Sequence, residues 1–232
     1  MSVLLVLLMF TIVVLVHYVR KRAQRYIPAV AEQRTRPSSR FDSRLALEVP
    51  PGYFFHPCHT WAAEESRQLL RVGMDHFAAN LFGKIGRIDI TKPNRWVRQG
   101  QKLMTITVDG TSVELLSPVE GTVTFLNQAA LENPQVVTAD PLGKGWMAEI
   151  KPANFDTDRK NLLQGAMAMS WMRNSTVLLR EICSESPALA QDGGRPIPGV
   201  LQRVSPELRK QLLKEFLQSV PIGENQSTCQ HI

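Results

Sequence analysis

The stretch LMTITVDGTSVELLSPVEG, residues 103–121, predicts a β-hairpin followed by a turn into another strand. Residues 103–108 and 111–116 are rich in Thr, Val, Ile and Leu, which favour strands. Asp109-Gly110 between them is the strongest short-range signal for a two-residue type I′ turn. A Ser-Pro pair and a glycine then lead into the next strand. Short strands with such punctuation are typical of a small β barrel or sandwich.

The sequence around this hairpin predicts more strands and one short helix. The predicted helix lies at 75–83, where Asp75 would cap its start and Gly83 would end it. Further strands are predicted at 69–74, 85–90, 122–127 and 146–152.

Two longer helices are predicted after the last strand. Residues 155–172 carry apolar residues at helical spacing, and Met167, Met169 and Met172 are expected to help pack this helix onto the barrel. The second is an amphipathic helix at 205–220 with one apolar stripe. Such a stripe needs a partner surface, which could be the chain's own barrel, another protein or a membrane.

The N-terminal sequence predicts a membrane anchor. Residues 3–16 carry no charge, and the apolar run extends to residue 19, before the basic cluster RKRAQR at 20–25. This length is at the short end for a membrane span. A cleaved signal peptide or a buried core helix is an alternative. We predict an uncleaved anchor at 1–22, with residues 3–22 contacting lipid.

The distribution of charged residues predicts on which side of the membrane the rest of the chain lies. Basic residues beside a span stay in the cytoplasm, which predicts a single-pass inner (cytoplasmic) membrane protein with its N-terminus outside and its soluble domain cytoplasmic. The chain has 27 Lys and Arg against 21 Asp and Glu, net +6. Residues 20–44 alone carry net +6, so the excess lies in this juxtamembrane stretch, most of which belongs to the basic linker predicted at 23–52. This position favours anionic headgroups over nucleic acid.

Other site chemistries have little support in the sequence. Three widely spaced cysteines form no disulfide framework. His56, Cys58 and His59 could suggest a metal, but no second ligand cluster accompanies them, so we predict a loop entering a strand and no metal. No hydrolase, phosphate-loop or metalloprotease motif is present. Asp89 and Glu114 are predicted surface carboxylates, and we predict neither an enzyme nor a small-molecule substrate.

Four segments carry a resemblance to a known family. They are HTW (59–61), VGMDHFAANLFGKI (72–85), SPVEGTVTFLNQAALENPQVV (117–137) and DPLGKGWMAEIKP (140–152). Over residues 53–172 the chain resembles the glycine cleavage system H-protein family. The resemblance implies a mainly β, lipoyl-type (barrel-sandwich hybrid) domain with flanking helices. The remaining residues, 173–232, are predicted to form a C-terminal extension that contains the amphipathic helix. Trp146 is expected to fill the barrel, with its N–H bound to a carbonyl.

The lysine that carries lipoate in this family is absent. It lies seven positions before the Ser of Ser-Pro, which corresponds here to Gly110, and residues 103–116 contain no lysine. Lys102 and Lys144 lie in other turns and are predicted surface charges. We therefore predict no cofactor and no catalytic residue.

Three functions are compatible with these features. The first is a membrane-tethered, non-lipoylated module that binds proteins as a scaffolding subunit of a membrane-associated complex, for example a redox or respiratory one. The alternative is a component or regulator of the glycine cleavage system that docks like an H-protein. The third is a lipoyl carrier modified at another site.

Overall fold

The computed structural model describes residues 49–66, 68–184, 190–191, 195–196 and 198–218. The anchor predicted at 1–22 and nearly all of the linker at 23–52 lie outside these residues. Within the described part of the chain, no helix combines the length and apolar character that crossing a membrane requires.

The larger sheet has six antiparallel strands. They are β1 (Tyr53–His56), β2 (Thr60–Ser66), β3 (Leu69–Met74), β5 (Trp96–Val97), β8 (Gly121–Leu126) and β9 (Ala148–Pro152). Their order in the sheet is β1-β2-β3-β9-β8-β5. A shift in register between Glu64 and Ser66 marks an irregularity in the pairing of β2 with β3.

The smaller sheet contains the hairpin predicted from residues 103–116. Its strands are β4 (Arg87–Ile90), β6 (Lys102–Val108) and β7 (Thr111–Leu116), in the order β4-β6-β7. A further small hairpin pairs β10 (Ala190–Gln191) with β11 (Arg195–Pro196). The mainly β class and the hairpin are therefore confirmed.

The short helix before β4 is also confirmed. Helix α1 (His76–Phe82) has Asp75 as its N-cap, whose side chain accepts a hydrogen bond from the Ala78 N–H, and it ends at Gly83. The described helices that follow are α2 (Gln128–Glu132), α3 (Gln135–Ala139), α4 (Phe155–Asp158), α5 (Gly165–Ser184), α6 (Val200–Arg203) and α7 (Pro206–Leu217).

The single helix predicted at 155–172 is wrong. The chain forms α4 and a 3₁₀ turn, Arg159–Asn161, and then becomes extended before α5 begins. The interruption has a physical reason, because Leu163 pairs with Phe55 of β1 through two backbone hydrogen bonds of 2.8 Å. These bonds extend β1 at the expense of a continuous helix.

The three methionines have different environments. Met172 is buried in a small cluster with Phe55, Trp61 and Ala168, as expected for a packing residue. Met167 and Met169 are 63% and 37% exposed, so their predicted packing role is wrong. The helix α5 presents only one of these positions to the domain.

The tryptophan that fills the interior is Trp61, not Trp146. Trp61 is 1% exposed, and its indole N–H lies 2.8 Å from the carbonyl of Met74 and 3.1 Å from that of Pro141. Trp146 is half-buried, with the Arg71 guanidinium 5.0 Å from its ring centroid. The expectation for Trp146 is therefore wrong.

The apolar stripe of the C-terminal helix packs on the chain's own domain. Ser205 caps α7, as its sequence predicts, although the helix ends at Leu217 rather than residue 220. The buried residues of α7 belong to the main hydrophobic cluster together with strand residues of both sheets. They are Leu212, Leu213, Phe216 and Leu217.

Candidate functional site: the hairpin crown

The turn between β6 and β7, Asp109-Gly110, forms the crown of the hairpin. Val108 pairs with Thr111, so the loop has two residues. Asp109 has φ 47° and Gly110 has φ 77°, the positive values that a type I′ turn requires at both positions. The predicted turn is confirmed, and both of its residues are exposed.

Lys102 and Lys144 both lie away from this crown. Lys102 begins β6, opposite Leu116 and far along the strands from the turn, and its Nζ lies 2.6 Å from the carboxylate of Glu114. Lys144 lies in the turn before β9, where its backbone N–H donates to the side chain of Asp140. Neither lysine belongs to the exposed turn that Asp109 and Gly110 form.

The C-terminal extension contacts the flank of the crown. The Arg209 guanidinium of α7 donates to the Thr111 hydroxyl at 3.0 Å and to the Leu201 carbonyl at 2.7 Å. Val108 and Val113 of the hairpin line one side of a narrow gap, and Leu213 lines the other. The extension therefore supports one side of the hairpin and leaves the turn itself exposed.

A second contact holds the extension against α1. The Gly199 N–H donates to the Asn80 carbonyl at 2.8 Å, and the Gln202 amide donates to the Lys84 carbonyl, also at 2.8 Å. A side chain at Gly83 would collide with the backbone of Gly199. The two chain segments therefore meet backbone to backbone, an arrangement that requires a glycine at position 83, while Gly199 adopts φ 80°, a conformation that favours glycine.

A buried histidine links these elements. His59 has φ 59°, and its Nδ1 lies 2.7 Å from the Asp75 carboxylate, which also caps α1. The imidazole stacks on Phe77 at 4.1 Å and on Trp171 at 4.4 Å between ring centroids, and Phe216 of α7 approaches its edge at 6.2 Å. His59 therefore holds α1, α5 and α7 around one ring.

The HPCH segment, residues 56–59, contains the last residue of β1 and the turn that leads into β2. Burial raises the pKa of the Cys58 thiol to about 11, so the group stays protonated at neutral pH. Burial also lowers the pKa of His56. Across the described ranges, no cluster of three or more His, Cys, Asp or Glu side chains could hold a metal ion.

The two strand carboxylates lie at the surface in ion pairs. Asp89 is exposed and lies 2.6 Å from the Arg87 guanidinium. Glu114 is half-buried and bound to Lys102. The predicted surface positions of Asp89 and Glu114 agree with this arrangement.

The crown turn should be sensitive to β-branched substitution. Gly110→Val should lower the free energy of unfolding by about 1–2 kcal/mol, because a β-branched residue is strained at φ 77°. Urea unfolding of residues 45–232 measures this loss. Gly110→Asn is the matched control and should cost less than half as much, since Asn tolerates positive φ. Equal losses for the two variants would show that the turn does not depend on this conformation.

Comparison with known proteins identifies the domain. The family model described as "Glycine cleavage H-protein" matches residues 53–175. The chain is 37% identical over 105 residues to the glycine cleavage system H protein of Bacteroides fragilis, covering 45% of this chain and 82% of that protein. It is 29% identical over 119 residues to that of Bifidobacterium longum, covering 51% and 84%.

A solved structure is also similar. It is the crystal structure of a glycine cleavage system H protein from Mycobacterium marinum, with 20% identity and a TM-score of 0.46, covering 54% of this chain and 98% of that chain. The residues matched by the family model include β1 to β9 and the hairpin crown. The chain belongs to the glycine cleavage H-protein family.

Proposed function

We propose that this chain is a non-lipoylated component or regulator of the glycine cleavage system, which docks on its proteins as an H-protein does. The observation that carries the proposal is the hairpin, which is retained within the family domain while its crown is Asp109-Gly110. Docking needs the outer surface of the domain. Carrying a lipoyl group would need a lysine amine at the crown. The lysine of the hairpin, Lys102, lies at the start of β6 instead and pairs with Glu114.

The proposed role is not catalytic. H-proteins are carriers that present a bound group to other proteins, and the family match supports the prediction that this chain is not an enzyme. The carrier chemistry is thiol redox and aminomethyl transport on a lipoyl arm. A chain without the arm would occupy the same docking surface and deliver nothing, which is the behaviour of a regulator or decoy.

A competition experiment tests this function. The full chain is added to a reconstituted glycine cleavage reaction that depends on a lipoylated H-protein. We expect the rate to fall as the chain is added and to recover when more lipoylated H-protein is supplied. The same chain, incubated with lipoate and a lipoate ligase, should gain no mass.

One control variant makes the result specific. A Trp61→Ala chain, destabilised through its core, should compete less well, because docking requires the folded domain. Unchanged rates at a large excess of the chain would contradict the proposal. A lipoyl adduct on Lys102 or Lys144 would also contradict it and favour a carrier modified at another site.

A second candidate is a membrane-tethered scaffolding subunit. The observation that favours it is the uncharged run at 3–16 followed by RKRAQR, from which we infer an anchor, an outside N-terminus and a cytoplasmic domain at the inner membrane. The two candidates differ in their partners. Purification of the tagged full chain from solubilised membranes would recover glycine cleavage proteins in the first case and subunits of a different membrane complex in the second.

A further inference from the structure

A cationic and aromatic patch lies at the edge of the larger sheet, away from the crown. Its centre is Trp96 on the edge strand β5, and this side chain is 51% exposed. Three exposed cations flank it in the sequence: Lys92, Arg95 and Arg98. An exposed tryptophan among cations is unusual, because large aromatic side chains normally contribute their area to a core or an interface.

The strand register extends the patch across the outer face of the sheet. Trp96 pairs with Thr122 of β8, which pairs with the exposed Lys151 of β9. Further along β8, Phe125 is 60% exposed. Val123 is fully buried, and a register shift between Val123 and Phe125 places Phe125 opposite Glu149 rather than on the buried face of Val123. Trp96, Lys151 and Phe125 therefore share one outer face.

The exposed cations of the patch are not neutralised locally. Within the described residues, no carboxylate lies within ion-pair distance of Lys92, Arg95, Arg98 or Lys151, whereas Lys102 and Arg87 are paired elsewhere on the surface. The acidic side chain on the same face, Glu149, is engaged by Arg71 at 3.3 Å. Half-buried Glu120 borders the patch at the start of β8. Asp158 is also close, because its carboxylate accepts from the Glu120 N–H at 2.9 Å. Four cations against these two carboxylates leave the patch positive.

Protection of a sheet edge does not explain the whole patch. Cations on an edge strand prevent pairing with other chains, which accounts for Arg95 and Arg98 beside β5. Such protection requires no exposed indole, and it does not require Phe125 on the next strand. Cations combined with exposed aromatic rings match instead the chemistry of a membrane interface, where rings enter the headgroup region and cations contact anionic lipid.

We propose that this patch binds the anionic surface of a lipid bilayer. Trp96 and Phe125 enter the headgroup region, while Lys92, Arg95, Arg98 and Lys151 contact lipid phosphates. The choice of lipid over an acidic protein rests on the membrane tether inferred above, which would keep the domain close to a leaflet. The patch would then orient the domain relative to the membrane.

Tryptophan quenching by lipid tests the patch in the full chain. Vesicles are made of phosphatidylcholine alone, or of phosphatidylcholine and phosphatidylglycerol in equal parts, with bromine on the acyl chains. Trp96 should be quenched in the anionic vesicles and much less in the neutral ones, and high salt should reverse the effect. Trp96→Phe should remove the lipid-dependent quenching, because Trp61, Trp146 and Trp171 are buried or half-buried.

A matched pair of variants separates the patch from overall charge. Arg95→Gln with Arg98→Gln should abolish most of the quenching, since each cation near an anionic surface contributes roughly fivefold in affinity. Lys84→Gln with Lys214→Gln removes two exposed cations elsewhere, beside α1 and on α7, and should leave the quenching unchanged. Equal loss in both double variants would overturn the proposal, as would binding of a soluble acidic protein without any lipid-dependent quenching.

The vesicle experiment distinguishes the failure of the proposed lipid-binding patch from the failure of the inferred N-terminal membrane tether. Sedimentation with neutral vesicles reports the tether, because it does not require anionic lipid. A chain that sediments with both vesicle types but shows no quenching of Trp96 overturns the patch and leaves the tether standing. A chain that is quenched only by anionic vesicles and does not sediment with neutral ones supports the patch and overturns the tether.

Discussion

Trp61→Ala is expected to lower the free energy of unfolding by about 3–5 kcal/mol, the cost of truncating a large aromatic side chain in a core. The ring is 1% exposed and packs at 5.0 Å from Tyr53 between centroids. Its indole N–H donates to the carbonyls of Met74 and Pro141, and both carbonyls would lose this hydrogen-bond donor inside the protein. Urea unfolding of residues 45–232, followed by circular dichroism, measures the loss.

Trp146→Ala is the matched control. Its ring is half-buried and lies beneath the Arg71 guanidinium, so the expected loss is about 1 kcal/mol. The same residue type is removed from the same domain, and only the environment differs. A loss for Trp146→Ala as large as that for Trp61→Ala would place both rings in equivalent environments and contradict this assignment of the core.

The two tryptophans show what sequence patterns can and cannot resolve. Both lie in characteristic segments, HTW and GKGWM, and a pattern does not state which ring points inward. The relevant signal was Gly73, across from Trp61 in the β2–β3 pair. A side chain at Gly73 would come within 2.9 Å of the Trp61 ring, so the glycine creates the space that this ring occupies. Such a pairing is visible only once the strand register is known.

Local structure, such as a turn or the start of a helix, was predicted well where it depends on neighbouring residues alone. The Asp109-Gly110 turn follows from two residues, and the start of α1 follows from Asp75. The helix predicted at 155–172 failed because a distant strand decides the outcome. Leu163 is drawn into pairing with Phe55, more than a hundred residues earlier, and local spacing contains no sign of that bond.

The position of the C-terminal extension could not be predicted for the same reason. Its amphipathic stripe required a partner surface, but the stripe is compatible with a barrel, another protein or a membrane. The structure places Phe216 at 4.9 Å from Phe77 between ring centroids, and Arg209 on Thr111 of the hairpin. The boundary predicted at 172/173 stays a prediction, although α5 runs through it to Ser184. The extension therefore helps to stabilise the hairpin that forms the candidate site.

Removal of the extension should be the most damaging change to the domain. Residues 45–232 contain both hydrophobic clusters, whereas 45–173 lacks nine of their buried side chains. Each large apolar side chain contributes about 1.5–3 kcal/mol when buried, against a total stability of about 5–15 kcal/mol. We expect 45–173 to bind a hydrophobic dye and to lose cooperative urea unfolding. The missing residues are Leu179, Cys183, Val200, Leu201, Val204, Leu212, Leu213, Phe216 and Leu217.

Two point variants in residues 45–232 separate the loss of α7 packing on the domain from the loss of chain length. Leu213→Asp places a carboxylate at a fully buried position of α7 and should reproduce the dye binding of the shortened chain. Gln211→Asp adds the same charge to an exposed position of that helix and should leave stability within about 0.5 kcal/mol. If 45–173 unfolds at the same urea concentration as 45–232, the extension does not support the domain. The contact of Arg209 with Thr111 would then contribute nothing to the hairpin, and the crown would be stabilised by its type I′ turn and the pairing of β6 with β7 alone.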